Sequence, residues 1–277
     1  MTPTTTSTMP STSGLRTDTA LAQRAGFLAD LQTVALRAVR LATREPEAIL
    51  PALSIPLFFF IVNIGALQAF VEKSGLVTDF KAFQLPVAIL NAVTGVSRAG
   101  SLVTDIQGGY FDRLLLTPVR RSTLLLGLMI ADFALVCTLC VPVVALGFAL
   151  GVRFETGLLG VIVFILIAGC WGLAFTGFAY AIALRTGNPA AVNSSFLLFF
   201  PFMFLTTAFL PQQALTGWLA TVAKYNPVTY LLAAQRSIVL YGWDATAMIK
   251  AVIAIAIVGV ASFSLAFAAL RGRVRRG

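Results

Sequence analysis

From Gly157 to Leu184 the chain runs GLLGVIVFILIAGCWGLAFTGFAYAIAL without one charged residue. A helix needs about 20 apolar residues to cross roughly 30 Å of hydrocarbon, and this run exceeds that length. Five further stretches behave alike: 48–70, 82–104, 123–151, 191–210 and 248–270, with 157–184 making six. The second is interrupted by Arg98, and the third carries Asp132 in its early turns. In hydrocarbon every backbone donor and acceptor must be satisfied within the segment, so such runs fold as helices. Of 277 residues 58% are hydrophobic and only 11% charged, against roughly 25% charged in a soluble domain. The expected fold class is an all-α integral membrane protein with six transmembrane helices.

The ends and connections qualify this outline. Residues 1–20 are rich in Thr, Ser and Pro and lack the apolar side chains to bury a core, which predicts a disordered tail. In 21–45, Phe27, Leu28, Leu31, Val34, Ala35, Ala38 and Leu41 recur at helical spacing, with Asp30, Arg37, Arg40 and Arg44 on the other side. This predicts an amphipathic helix lying in the membrane interface, closed at Glu45-Pro46, ahead of a transmembrane domain over 46–277. Between the fifth and sixth runs, Lys224 and Arg236 bracket a stretch that as a helix reaches about 16 Å, too short to cross. The expectation for 211–247 is a pair of short helices dipping in from the outer side, broken at Asn226-Pro227.

Lys and Arg set the orientation. Six crossings place both termini on one side. Thirteen of the 20 basic residues fall there, six fall opposite, and Arg98 lies within the second run. Both termini are therefore expected in the cytoplasm. The formal charge of +9 is then accounted for by topology, and nucleic acid is not expected as a partner.

The chain has no histidine and no GxxxxGK[ST] motif, so it lacks the commonest general base and a P-loop of its own. Cys137, Cys140 and Cys170 all lie in apolar runs and read as packing residues. No catalytic residue, metal site or cofactor is expected in this chain.

Charge concentrates instead in DIQGGYFDRLLLTPVRRS (Asp105–Ser122), which the topology places in the cytoplasm. Gly108-Gly109 allows a sharp turn out of the second run. Thr117-Pro118 ends a short helix, because the residue before proline is pushed out of helical geometry. That helix exposes Tyr110, Phe111, Leu114 and Leu115 beside Asp112 and Arg113. Apolar anchors with a charge pair suit a docking surface; the alternative is a helix resting on lipid.

The spacing D-x-x-G-G-Y-F-D-R-L-L-x-T-P resembles the cytoplasmic coupling element of type-2 ABC exporter permeases, in particular the daunorubicin-resistance-type permeases of actinobacteria. Asn226-Pro227-Val228-Thr229-Tyr230, continuing through Arg236 to Gly242, is similar to that family's NP-x-x-Y segment before the last span. Asp105 and Asp112 stand where the family often has glutamate. The resemblance implies the membrane subunit of an exporter in a bacterial plasma membrane. It also implies a separate ABC ATPase subunit carrying ATP and Mg, and a second permease copy or sister permease beside it, among membrane lipids. By the same resemblance, Asp105, Gly108, Gly109, Tyr110, Phe111, Asp112, Arg113, Leu114 and Pro118 form the ATPase-coupling helix within 105–120. Asn226, Pro227 and Tyr230 would mark the re-entrant region.

Two further patterns come from the residues alone. Asn91, Thr94, Arg98, Ser101 and Asp105 fall at steps of three and four, a polar stripe if 82–104 is one helix. Intramembrane ionisable groups are costly and normally face protein or water. The stripe reads either as part of a translocation route or as a seam against neighbouring helices, with Arg98 reaching the headgroups. The fifth run groups Phe196, Phe199, Phe200, Phe202, Phe204 and Phe209 around Pro201, and Pro56 with Phe58–Phe60 adds aromatics in the first. These rings line a route for an amphipathic or lipidic substrate, or face lipid. The alternative function is an ion-coupled secondary transporter. Such carriers use an acid near the midplane and broken helices in matching halves, and the chain shows no repeat.

Overall fold

The computed structural model describes residues 46–94, 96–109, 121–194, 197 and 199–274. The expected tail 1–20, the interfacial helix 21–45, and Tyr110, Phe111, Asp112, Arg113, Leu114 and Pro118 of the coupling helix lie outside the described residues. Within them all regular structure is helical. The elements are α1 (Pro46–Lys73), α2 (Phe80–Val93), α3 (Ala99–Gln107), α4 (Arg121–Ala149), α5 (Gly157–Thr186), α6 (Pro189–Asn193), α7 (Phe199–Phe204), α8 (Gly217–Tyr225), α9 (Pro227–Arg236) and α10 (Ala245–Val274). A π-helical turn, Ser237–Tyr241, follows α9. Among the described residues, four helices are long and apolar enough to cross a membrane: α1 over Leu53–Lys73, α4 over Leu125–Ala149, α5 over Gly157–Thr186 and α10 over Ala245–Arg273.

The central helix is α5, which packs most extensively against α10 and α4. Small residues make this approach possible, as expected where van der Waals contact rather than hydrophobicity drives helix association. A Cβ at Gly172 would lie 3.0 Å from Val136 of α4, and one at Gly177 would lie 2.6 Å from Ser262 of α10. Gly169 receives Cys137 and Phe133 in the same way. The core around these contacts includes Leu85, Ile89, Leu90, Phe164, Trp171, Leu231 and Leu232.

The second and fifth runs differ from expectation. The second is not one helix: α2 ends at Val93, Thr94 is extended (φ −82°, ψ 121°), and α3 starts after Arg98. The 14 residues of α2 rise roughly 21 Å and the nine of α3 roughly 14 Å, so only together do they reach across hydrocarbon. The local sequence Thr94-Gly95-Val96-Ser97 consists of poor helix formers. The polar stripe is thus divided, with Asn91 on α2 and Ser101 and Asp105 on α3. Among the described residues of 191–210, α-helix is confined to the end of α6 and to α7. Pro201 lies inside this run, and bends follow from Leu205 to Leu210. In the region before α10, two short helices meet at Asn226-Pro227, where the spacing placed the break.

Candidate functional site

The break between α2 and α3 borders a cavity of about 360 Å³, walled by α1, α2 and α7. From α1 come Ile55, Pro56, Phe59 and Asn63; from α2 and the break, Val87, Asn91, Ala92, Thr94 and Val96. Phe199, Phe200, Met203 and Phe204 of α7, with Phe209, complete it. The wall is mostly aromatic and aliphatic, with the polar side chains of Asn63, Asn91 and Thr94 set into it. Mostly apolar lining with a few fixed polar groups is the usual construction of a small-molecule site. Of the residues singled out in the sequence, Asn91, Thr94, Phe199 and Phe200 share this one space. Arg98, Ser101 and Phe202 are not among its lining residues. Ser101 and Phe202 are exposed on their helices. Phe58 is exposed and Phe60 buried in the core, so only Phe59 of that triplet reaches the cavity.

The break itself is held by side chains from α4 and α5. Asp132, fully buried on α4, accepts the Arg98 backbone N–H at 3.0 Å through Oδ1. Its Oδ2 accepts the Tyr180 hydroxyl of α5 at 2.7 Å and that of Ser97 at 3.4 Å. Ser97 Oγ in turn accepts the Ala99 N–H. On the cavity side, the Trp171 indole N–H of α5 donates to Thr94 Oγ1 at 3.1 Å. Two backbone donors at the break, the Arg98 and Ala99 N–H groups, are thus satisfied by side chains, as irregular backbone at membrane depth requires. Arg98 of the stripe meets Asp132 of α4 through its backbone N–H. The sequence flagged Asp132 as a charge in a span but gave no sign of Tyr180 or Trp171 as its companions.

At the other end, Asn226 works as a joint. Its Oδ1 caps α9 by accepting the Val228 N–H, while Nδ2 donates to the carbonyls of Phe202 and Leu205. Pro227 occupies the first position of α9, where its missing N–H costs nothing. The Tyr230 hydroxyl donates to the Lys224 carbonyl at 2.6 Å. Arg236, buried at the end of α9, donates to the carbonyls of Phe83 and Ala208 and to Thr207 Oγ1. Its guanidinium carbon stands 3.4 Å from the Phe83 ring centroid.

At the α3 terminus Gly109 adopts φ +68°, a left-handed turn that glycine takes without strain. Gln107 donates to the Gly187 carbonyl beyond α5 at 2.9 Å, fastening α3 there. Asp105 is half-buried in the last turns of α3, and Gly108 is exposed. Of the residues expected in a coupling element, Asp105, Gly108 and Gly109 therefore sit at the end of α3.

Fold and site together define a polytopic α-helical membrane protein with a mainly apolar cavity beside a broken helix. Sequence comparison identifies its class: the profile of the ABC-2 type transporter matches residues 29–240. The chain belongs to the ABC-2 type transporter family, whose relatives here are permease subunits. It is similar to the daunorubicin resistance ABC transporter permease protein DrrB1 of Streptomyces coeruleorubidus, with 26% identity over 216 residues covering 75% of each chain. It is also similar to the probable doxorubicin resistance ABC transporter permease protein DrrC of Mycobacterium tuberculosis (strain CDC 1551 / Oshkosh). That match has 27% identity over 228 residues, 79% of this chain and 81% of that one.

Proposed function

We propose that this permease exports an amphipathic, aromatic or lipidic molecule from the cytoplasmic side of a bacterial plasma membrane, driven by ATP hydrolysis on a separate ABC ATPase subunit. The cavity carries the reading, because residues distant in sequence (Asn63, Asn91, Phe199) converge on a lining suited to flat apolar cargo with polar edges. The names of the two relatives, resistance permeases for daunorubicin and doxorubicin, describe cargo of that kind. ATP and Mg belong to the partner subunit. The segment from Asp105 to Pro118 is the docking element, with Asp112 and Arg113 seated in a groove of the ATPase and Gly109 as its turn. The broken runs 82–104 and 191–210 count as the second and fifth crossings, which keeps both termini cytoplasmic and 211–247 on the outer side. The complete transporter holds a second permease, either another copy or a sister chain.

Closure of the ATPase dimer on ATP moves the docking element and α3, shifting the cavity from cytoplasmic to outward release. The bias comes from differential contacts between the two states. The test is ATP-dependent daunorubicin uptake into inside-out vesicles containing permease and ATPase. Asp112→Ala with Arg113→Ala should abolish uptake while membrane insertion persists. Normal uptake by that double variant would refute the coupling assignment. Uptake driven by a proton gradient without ATP would favour the ion-coupled alternative.

A further inference from the structure

Locally, the start of α3 is secured by one side-chain bond, in which Ser97 Oγ accepts the Ala99 N–H. Arg98 occupies its N-cap position and makes no side-chain capping bond. The acceptor arrives from another helix: Asp132 of α4 takes the Arg98 N–H with one carboxylate oxygen and the Tyr180 hydroxyl of α5 with the other. The cavity-side half is tied separately, since Trp171 of α5 holds Thr94 at the end of α2. Trp171 and Tyr180 are nine residues apart on α5, about 14 Å along its axis, so the two halves of the second run are pinned to one rigid helix at different heights. The far end of α3 leads into the Gly109 turn and the docking element.

We infer that Asp132 is a positioning residue for transport. It caps α3 from α4 and, through Tyr180, ties that cap to α5, so that a displacement of α3 is passed to Thr94 and the cavity wall instead of being lost at the break. This rests on the proposed ATPase coupling. A cap that merely kept α3 folded would be replaceable by one on α3 itself; a tie between helices would not.

Trp171 supplies the reporter, since it is bonded to Thr94, which lines the cavity. The chain has three tryptophans, so 5-fluorotryptophan incorporated in the permease alone gives three fluorine resonances, and Trp171→Phe assigns one. The labelled permease is combined with its unlabelled ATPase subunit in nanodiscs, and spectra are compared without nucleotide and with ATP trapped by vanadate. Trapping should shift the Trp171 resonance in the wild type. Asp132→Ala should lose that shift, and Asp132→Ala with Arg98→Asn, which gives α3 a cap of its own, should regain thermal stability but not the shift. A full shift in Asp132→Ala, or its return in the double variant, overturns the inference while leaving ATPase coupling intact. Should Asp132→Ala not fold, Tyr180→Phe removes the 2.7 Å bond and should diminish the shift; an unchanged shift overturns the inference. If the wild type itself shows no shift, the coupling reading fails, and this inference with it.

Discussion

Replacing Arg236 tests how the segment before the last span is anchored. Its guanidinium satisfies three buried acceptors (the Phe83 and Ala208 carbonyls and Thr207 Oγ1) and lies over the Phe83 ring. Arg236→Ala orphans those acceptors at about 1–3 kcal/mol each and removes a desolvated cation–π contact of about 2 kcal/mol. Against this stands the relief of a buried charge, which returns several kcal/mol. The net loss should be about 3 kcal/mol, inside the range of serious single-site defects. At roughly 2–4 °C per kcal/mol for domains of 150–250 residues, the melting midpoint should fall by about 6–12 °C. The assay is thermal unfolding of purified permease in nanodiscs, with exposed Arg271 replaced by Ala as control, expected within about 2 °C of wild type. Arg236→Lys should recover only part of the loss, because one ammonium cannot reproduce the planar fork. A midpoint for Arg236→Ala equal to the Arg271 control would refute the assigned role of these contacts.

Three further outcomes follow from the geometry. Asn226→Ala removes the α9 cap and leaves the Phe202 and Leu205 carbonyls without their donor. It should cost about 2–4 kcal/mol in the same unfolding assay, and Asn226→Asp, which keeps the cap but not the donor, should not restore wild-type stability. Gly109→Ala forces a Cβ into a left-handed turn that has open space around it, costing about 1–2 kcal/mol locally. It should lower cargo-stimulated ATP turnover of the assembled transporter, whereas Gly109→Asn, more tolerant of that turn, recovers most of it. Phe200→Ala removes a cavity ring and should weaken daunorubicin binding about two- to tenfold, matching an aromatic contact of about 0.5–1.5 kcal/mol. Fluorescence titration reads that change, and Phe202→Ala, off the cavity, should leave affinity unaltered.

The four long helices were legible because hydrophobicity over twenty residues overwhelms every local preference. The Asn226-Pro227 break was legible too, since a prolyl residue at the start of a helix and an asparagine before it act locally. The interruption at Thr94–Arg98 was not. Its residues fall at helical spacing, and the groups that make the break tolerable come from far along the chain: Asp132 and Trp171 bond it from 34 and 77 positions away, and Tyr180 acts through Asp132. The aromatic run 191–210 misled for the opposite reason: it is apolar enough to span, yet α7 covers only Phe199–Phe204 and bends follow from Leu205 to Leu210. The cavity followed only in part. Asn91, Thr94, Phe199 and Phe200 were marked as route residues, but Asn63 and Ile55 carry no signal until α1 is placed beside α2.

The central claim is that cargo occupies the space between α1, α2 and α7. Photolabelling the nanodisc-embedded transporter with a photoactivatable daunorubicin derivative, then mapping adducts by peptide mass spectrometry, tests it most directly. Adducts should fall on peptides containing Phe59, Asn91 and Phe199–Phe204, diminish with excess unlabelled daunorubicin, and decline when vanadate traps the ATPase. Competable adducts confined to α5 and α10, with none on those peptides, would contradict the account.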